Sequence, residues 1–495
     1  MRLQGKKIEN RIGKQNTQFS AMKHLPLIHS LLILNAVPIC LAEPSTPTEA
    51  SAPSQHEAAY QQFVKMLETI AVADSPDIVP AIVIAIEATG DELCVDEWMK
   101  RAANEGNPVA QLYLSSTSLN FVPQNQQQAA KVKNAAAMVK KAADAGYAPA
   151  MITYSSILRT GSIIPADEVK ANQLIMEACK SGNYETRFSW LLQTDRLMKY
   201  EDKERPEVKA EIARGNHHVV YYLSQKAPDA FVSLLTLTEA ARMGNPSAMY
   251  ELSAILLQLK NPKVSYYYLK QAAELHHPMA LTILGEYMIS GNKELEECIG
   301  LKKDPAAGIY MLKIASMMGN TRAQAILSHI YFHGLFGVPK DEAKAYRHVE
   351  IGETVVPDVG YITAKGYMLL TGSGVKQDTA QGIALIEKAA RTGFPHAVFM
   401  LANVYYNGIG DITKNGSEAV YLLESMATQR GLEISFIFLA YIYEKGGAGI
   451  EPDPKRVQYY LDHAQRAFGQ AAHTKFEELK NDENGWIVTP FNIKL

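Results

Sequence analysis

Residues 323–334 read AQAILSHIYFHG, residues 397–408 read AVFMLANVYYNG and residues 435–446 read SFIFLAYIYEKG. Each stretch carries a small residue, a leucine, a tyrosine and a glycine, separated by four, four and three positions. Because an α-helix turns once every 3.6 residues, the first three side chains lie on one stripe, and the glycine can adopt the left-handed conformation that ends a helix. Each stretch therefore predicts one short amphipathic helix, and residues 280–291 and 150–161 are weaker copies.

A second motif, Ala-Ala-x-x-Gly or a close variant, alternates with the first. It ends at six glycines and at one histidine, namely Gly106, Gly146, Gly182, Gly244, His276, Gly319 and Gly393. The distance from Gly319 to Gly393 is 74 residues, or two units of 37, whereas Gly106 and Gly146 are 40 apart. This drift fits a pair of helices joined by a loop of variable length, so the chain is predicted to be a row of helical hairpins.

The start of the second helix is marked in two loops. Asp167 in the segment 165–171 and Asp341 in the segment 339–345 each follow a proline by two residues and precede a glutamate. An aspartate can accept hydrogen bonds from the free N–H groups of a first turn, and the glutamate is favoured by the helix dipole. Both aspartates are therefore predicted N-caps.

These motifs resemble those of the Sel-one-like repeat (SLR) family, which is related to the tetratricopeptide repeat. The glycine-rich loop of that family, G-x-G-V-x-x-D, matches residues 372–378 and, with one substitution, residues 334–341. The resemblance covers residues 90 to 470 and implies an all-α fold, a right-handed α/α superhelical solenoid. The chain departs from the pattern by an insertion at 349–360, by Lys365 in place of leucine, and by a degenerate stretch at 195–230 that leaves the number of repeats open.

The two ends of the chain do not follow the repeat. Residues 1–42 are interpreted as a leader and signal peptide, because an apolar run from Leu25 to Leu41 follows Lys23 and precedes small residues; Met22 is the expected start. An uncleaved anchor or a disordered leader is the alternative. Residues 43–56 are predicted to be a linker rich in proline, serine and threonine. Residues 57–100 are predicted to be N-terminal capping helices that include the apolar segment 78–86, residues 101–470 the solenoid, and residues 471–495 a capping tail. The β-prone segment 486–491 either folds over the last repeat or serves as a docking strand.

Charge and location narrow the partners. Without residues 1–42 the chain has 43 basic and 51 acidic residues, a formal charge of −8. This balance argues against nucleic acid and favours neutral or basic partners. Cleavage predicts a periplasmic or secreted protein with no integral membrane span, and the resemblance implies that it binds other proteins or cell-envelope polymers.

The search for reactive groups gives weak signals. Cys94, Cys179 and Cys298 show no spacing typical of a metal site, and Cys179 is expected to be a small core residue. His329 and His333 are one helical turn apart but lack a third ligand, so no metal and no cofactor are predicted. Ser373 and Lys376 match the S-x-x-K motif of penicillin-recognising enzymes, although the match lies within the repeat loop. The expectation is that the protein is not an enzyme, with a penicillin-recognising or peptidoglycan-acting enzyme as the alternative.

The predicted function is therefore a protein-interaction scaffold or adaptor in the bacterial envelope. A cytoplasmic adaptor or a host-directed effector is a further alternative. Residues beside the apolar stripe of the first helices are the candidate contacts, because the first helices of such a solenoid line its concave side. They are Ser155, Glu286, Ser328, Lys365, Asn403, Tyr406 and Tyr441.

Overall fold

A computed structural model describes residues 53–119, 126–194, 198–481, 488–489 and 492–493. The predicted signal peptide and residues 43–52 of the predicted linker lie outside this part of the chain. The described residues form 25 α-helices in sequence, with two short strands near the C-terminus. The predicted all-α fold of tandem helical hairpins is thus confirmed. No helix in these residues is both long and apolar enough to cross a bilayer.

The chain divides into two compact units, with the boundary between Ala323 and Gln324. The helices of the first unit are α1 (Pro53–Val72), α2 (Val79–Thr89), α3 (Cys94–Asn104), α4 (Pro108–Leu119), α5 (Gln126–Asp144), α6 (Ala148–Thr160), α7 (Glu168–Ala178), α8 (Tyr184–Thr194), α9 (Pro206–Ala213), α10 (His217–Gln225), α11 (Ala230–Arg242), α12 (Pro246–Gln258), α13 (Pro262–Glu274), α14 (Pro278–Ser290), α15 (Lys293–Ile299) and α16 (Pro305–Met317). Short 3₁₀ turns cover Cys179–Ser181 and Tyr200–Glu204.

The boundary falls within α17 (Thr321–His333). The elements of the second unit are α18 (Glu342–Val355), α19 (Val359–Thr371), α20 (Thr379–Arg391), α21 (Pro395–Asn407), α22 (Gly416–Arg430), α23 (Ser435–Lys445), α24 (Pro454–Phe468), α25 (Gln470–Asn481), β1 (Val488–Thr489) and β2 (Asn492–Ile493). A 3₁₀ turn covers Ile409–Asp411, and β1 pairs with β2 in antiparallel register.

The helix boundaries follow the predicted signals. The Asp167 side chain accepts a hydrogen bond from the N–H of Lys170 at the start of α7, and Asp341 accepts one from Lys344 at the start of α18. Each aspartate satisfies an N–H that has no partner within its helix. At the other end, Gly408 has a φ of 72° and stops α21 in the left-handed conformation. The predicted N-caps are therefore confirmed.

Pairs of glycines let the two helices of a hairpin approach closely. A Cβ added to Gly285 of α14 would lie 2.8 Å from the carbonyl oxygen of Gly308 in α16, and one added to Gly308 would lie 2.6 Å from the oxygen of Gly285. Gly366 of α19 and Gly382 of α20 form the same arrangement in the second unit. Side chains at these crossings would push the helices apart, so glycine is required there.

The degenerate stretch still forms helices. Between residues 198 and 225 the chain contains a 3₁₀ turn and the short helices α9 and α10. They share a small core with α8, made of Leu191, Met198, Val208, Val219 and Leu223. The hairpin pattern thus continues through this stretch with shortened helices, because enough apolar side chains remain to pack it.

The helices at the two ends of the described chain pack against neighbouring helices. The predicted buried segment 78–86 lies within α2, whose side chains Val79, Ala81, Ile82, Ala85 and Ile86 are buried. The helix α1 begins at Pro53, inside the segment predicted to be a linker. At the other end α25 packs against α23 and α24 through Ala472 and Phe476, and β1 lies against α21.

Candidate interaction surfaces

Five of the seven predicted contact residues are buried in the helix packing. Ser155, Ser328 and Asn403 have no exposed surface, and Tyr406 and Tyr441 retain 8% and 7% of theirs. The Ser155 hydroxyl donates to the carbonyl oxygen of Ile152 at 2.8 Å, and the Tyr406 hydroxyl donates to that of Gly446 at 2.6 Å. Burial raises the pKa of Tyr406 to about 12. These side chains pack the helices, and their role in binding stays a prediction.

The two charged candidates are engaged in ion pairs. Glu286 accepts two hydrogen bonds from Arg322, at 2.5 and 2.6 Å. The Lys365 ammonium lies 2.6 Å from a carboxylate oxygen of Glu353, and this carboxylate raises the pKa of Lys365 against the opposing effect of burial. Lys365 therefore replaces the expected leucine with an ion pair between α18 and α19.

The S-x-x-K segment is a tightly packed loop. The Thr371 hydroxyl donates to that of Ser373 at 2.9 Å, whereas Lys376 is exposed. Gly374 has a φ of 71°, and a Cβ there would overlap the carbonyl oxygen of Glu342 at the start of α18. Within the described residues no hydrogen bond joins Ser373 to Lys376. The close approach of this loop to the start of α18 thus explains why residue 374 is glycine.

The two neighbouring histidines pack against each other, and the three cysteines differ in exposure. The rings of His329 and His333 lie edge to face, 4.8 Å apart, and burial lowers the pKa of His329. No group of three or more side chains able to bind a metal occurs in the described part of the chain. Cys94 and Cys179 are half-buried, Cys298 is exposed, and all three thiols are free.

Contacts between distant parts of the sequence hold the first unit together. Asp77, in the loop before α2, lies 3.0 Å from Nδ1 of His276, and both residues are only 4% exposed. His276 occupies the place of the motif glycine and has a φ of 58°. Its side chain therefore explains the departure from the motif, because glycine could not pair with the buried Asp77 carboxylate.

The helix α2 docks on one face of α16. The Tyr310 hydroxyl of α16 donates to the Glu87 carboxylate of α2 at 3.3 Å. One turn further, Lys313 donates to the carbonyl oxygen of Gly90 at 2.8 Å and lies 3.0 Å from the fully buried carboxylate of Glu92. Tyr310 and Lys313 of α16 thus bind the C-terminal end of α2 and the acidic residue Glu92 that follows it.

Sequence reasoning missed a group of exposed apolar residues on α11, α12 and α13. We call it the apolar patch, and it consists of six side chains that are 37–70% exposed: Phe231, Leu235, Leu257, Leu259, Val264 and Tyr267. The position of these residues relative to the helix N-caps already carries the signal. Leu235 and Tyr267 stand six residues after the N-caps Asp229 and Asn261, as do Tyr310, Tyr421 and Tyr459 after theirs.

Comparison with known families identifies the repeat. The sequence model of the Sel1 repeat matches seven segments of the chain, at residues 97–107, 240–277, 293–320, 321–351, 362–394, 395–430 and 437–461. These segments include the glycine-rich loops and the helix pairs described above. The resemblance predicted from the motifs is therefore confirmed.

Two fungal regulators are similar in sequence. Chitin synthase regulatory factor 3 of Schizosaccharomyces pombe is 31% identical over 159 residues, which are 31% of this chain and 17% of that protein. Chitin synthase regulator SKT5 of Saccharomyces cerevisiae is 22% identical over 333 residues, which are 64% of this chain and 45% of that protein. The chain thus spans less than half the length of either relative.

Two of the solved structures that match the chain are bacterial proteins. A protective antigen of uropathogenic Escherichia coli that displays an SLR fold is 20% identical, with a TM-score of 0.44 over 85% of this chain and 90% of the antigen. A Sel1 repeat protein from Oxalobacter formigenes is 23% identical, with a TM-score of 0.38 over 52% of this chain and 99% of that protein. The seven matched segments, which fold into helices of the hairpins described above, thus show that the chain contains Sel1 repeats.

Proposed function

We propose that this protein is a non-catalytic adaptor that binds other proteins through the outer faces of its Sel1 repeats. The observation that carries the proposal is the apolar patch on three successive helices, in a repeat that is otherwise well packed. Exposed apolar areas of this extent on soluble proteins commonly mark binding sites. The names of the two fungal relatives, both regulators of chitin synthase, support a role in controlling a partner rather than in catalysis.

The proposed site of action is the bacterial envelope. The apolar run from Leu25 to Leu41, the basic Lys23 before it and the small residues after it support export with cleavage near residue 42. Mass spectrometry of the N-terminus of the protein from its native cells tests this directly. A mature chain that begins near Glu43 is expected, whereas an intact Met1 or Met22 would favour the cytoplasmic adaptor.

Crosslinking in cells tests the adaptor function. A photoreactive amino acid placed at Phe231 should crosslink to a defined partner, while the same group at Val72, which is 88% exposed on α1, serves as the control. An adaptor requires one recurring adduct from the first position that is absent from the second. Identical adducts from both positions, or none from either, would contradict a specific binding face.

The enzyme alternative is tested at Ser373. A penicillin-recognising enzyme forms a covalent adduct between this hydroxyl and a β-lactam, which intact-mass spectrometry detects. We expect no adduct, and we expect Ser373→Ala to retain full biological activity. An adduct that disappears in Ser373→Ala would establish the enzyme instead.

A further inference from the structure

We propose that the face formed by α11, α12 and α13 binds a partner helix that has an apolar side and an acidic end. The proposal rests on the adaptor function and adds to it the place of binding and the chemistry of the partner. The argument starts from the way the chain binds one of its own helices.

The docking of α2 on α16 supplies the pattern. On α16, Tyr310 contacts Glu87 in the last turn of α2, and Lys313 contacts Gly90 and Glu92 just after that helix ends. Tyr310 and Lys313 stand six and nine residues after the N-cap Asp304, and the helix whose end they bind is apolar along most of its length. The second helix of a hairpin, when it carries this tyrosine and lysine, can thus bind an apolar helix that has an acidic end.

The same pair recurs on α13, where nothing in the described chain covers the tyrosine. Tyr267 and Lys270 stand six and nine residues after the N-cap Asn261, the positions of Tyr310 and Lys313. Tyr267 is 55% exposed. Lys270 lies 3.7 Å from Glu274, and both side chains are 56% exposed, so this ion pair is weak and can be exchanged for another.

Tyr267 is one of several exposed apolar side chains on three successive helices. Since α12 packs against both α11 and α13 and joins each by a three-residue turn, α11 and α13 run in the same direction. Phe231 and Leu235 form a ridge on α11, and Val264 and Tyr267 form one on α13. Because α12 runs in the opposite direction, its C-terminal end lies beside the N-terminal ends of α11 and α13, where Phe231 and Val264 are. This end of α12 contributes Leu257 and Leu259.

Charge on this face favours an acidic partner. Lys260 and Lys263 flank the N-cap of α13, Lys226 precedes the N-cap of α11 by three residues, and all three are exposed. The carboxylate of Asp229 accepts the N–H groups of Phe231 and Val232, which occupies it as an N-cap. The local surface is thus basic although the chain as a whole is acidic, and a second copy of this face would bring lysines against lysines.

The second unit provides a matched control. Tyr421 of α22 and Tyr459 of α24 also stand six residues after their N-caps and are 63% and 56% exposed. Nine residues after the N-caps, however, these helices carry Glu424 and Asp462 in place of lysine. They present the same aromatic side chain with the opposite charge, so they are not expected to accept an acidic helix.

Binding of designed peptides to the full chain tests the proposal. The probe is a fluorescent helical peptide with leucine along one face and glutamate at its C-terminal end, and its isomer carries lysine in place of glutamate. Fluorescence anisotropy should show that the acidic peptide binds at least about tenfold more tightly. Leu235→Ser with Tyr267→Ser should abolish this binding, and Lys263→Glu with Lys270→Glu should reverse the preference.

Several outcomes would overturn the inference. They are equal binding of both peptides, no binding of either, and an equal loss in the control variant Tyr421→Ser with Tyr459→Ser. Attachment to phosphatidylglycerol vesicles without peptide binding would assign the face to a membrane, and a dimer that Leu235→Ser dissociates would assign it to a second copy. Circular dichroism of each variant checks that it folds. If the patch variants lose the peptide but still crosslink to the cellular partner from other positions, this inference falls and the adaptor function remains.

Discussion

The pairing of Asp77 with His276 predicts an unusual response to mutation. His276→Gly restores the residue that the repeat motif uses at this position and relieves a left-handed backbone, which costs a non-glycine residue about 1–2 kcal/mol. It also removes the partner of a buried carboxylate. Breaking such a pair costs roughly 3–5 kcal/mol, because the remaining charge stays buried. The second effect is larger, so the motif residue should destabilise the first unit by about 2 kcal/mol.

The sign of this effect depends on Asp77. In an Asp77→Ala background no carboxylate remains to be stranded, and the same change at His276 only relieves the backbone. His276→Gly should then stabilise the unit by about 1 kcal/mol. Asp77→Ala also removes the hydrogen bond from the N–H of Val79 to Asp77. This loss is the same with and without His276→Gly, so it cancels when the two proteins are compared.

Hydrogen exchange followed by mass spectrometry is the suitable assay, since two compact units make a single unfolding transition unsafe to assume. Peptides that cover α2 and the junction of α13 and α14 should lose protection in His276→Gly and regain part of it in the double mutant. Peptides of α22 and α24 should not change. Equal or increased protection in His276→Gly alone would refute the reasoning, as would the same sign in both backgrounds.

Three further changes test the packing described above. Gly374→Ala should lower the free energy of local opening at α18 by more than about 2 kcal/mol, because its Cβ overlaps Glu342. Gly337→Ala, at the same loop position but in open space, should cost only about 1 kcal/mol, and equal losses of hydrogen-exchange protection would contradict this account. Asp341→Ala should cost about 1 kcal/mol through loss of the N-cap of α18, whereas Lys376→Ala, measured by the same exchange, should have no effect. Burial raises the pKa of the Cys94 thiol to about 11, so at pH 8 only about one thiol in a thousand is ionised. Iodoacetamide should therefore label Cys94 far more slowly than the exposed Cys298, at a rate that rises about tenfold per pH unit, and comparable rates by mass spectrometry would contradict the burial.

The sequence was sufficient for the local structure of the repeats. The N-caps at Asp167 and Asp341 and the glycine that ends α21 depend on interactions within a few residues, and a motif records them directly. The burial of α2 was predictable for a related reason, because a segment as apolar as 78–86 must pack against something.

The contact surface could not be predicted in the same way. Ser328 and Asn403 lie beside the apolar stripe, and a single amphipathic helix would leave them partly exposed. In this chain nine of the 13 residues of α21 are buried, because the helix packs against α20 and α22 and β1 lies against it as well. Which faces are covered depends on neighbours 100 or more residues away in some cases, as with Asp77 and His276, and repeat spacing carries no information about them.

The docking face proposed on α13 has a counterpart in a contact that the chain makes with itself. Tyr310 contacts Glu87 of α2, and Lys313 contacts Gly90 and Glu92 just after that helix. In the part of the chain that the structure describes, the equivalent Tyr267 is 55% exposed and Lys270 pairs with Glu274 of its own helix. A repeat array can in this way keep one helix position constant as an aromatic anchor and vary the residue three positions later to change the charge it selects. The change from lysine in α13 and α16 to Glu424 in α22 and Asp462 in α24 would give one protein two classes of docking face. An adaptor that brings different partners together needs such a difference between its repeats, and neither the shared fold nor the overall charge of the chain would reveal it.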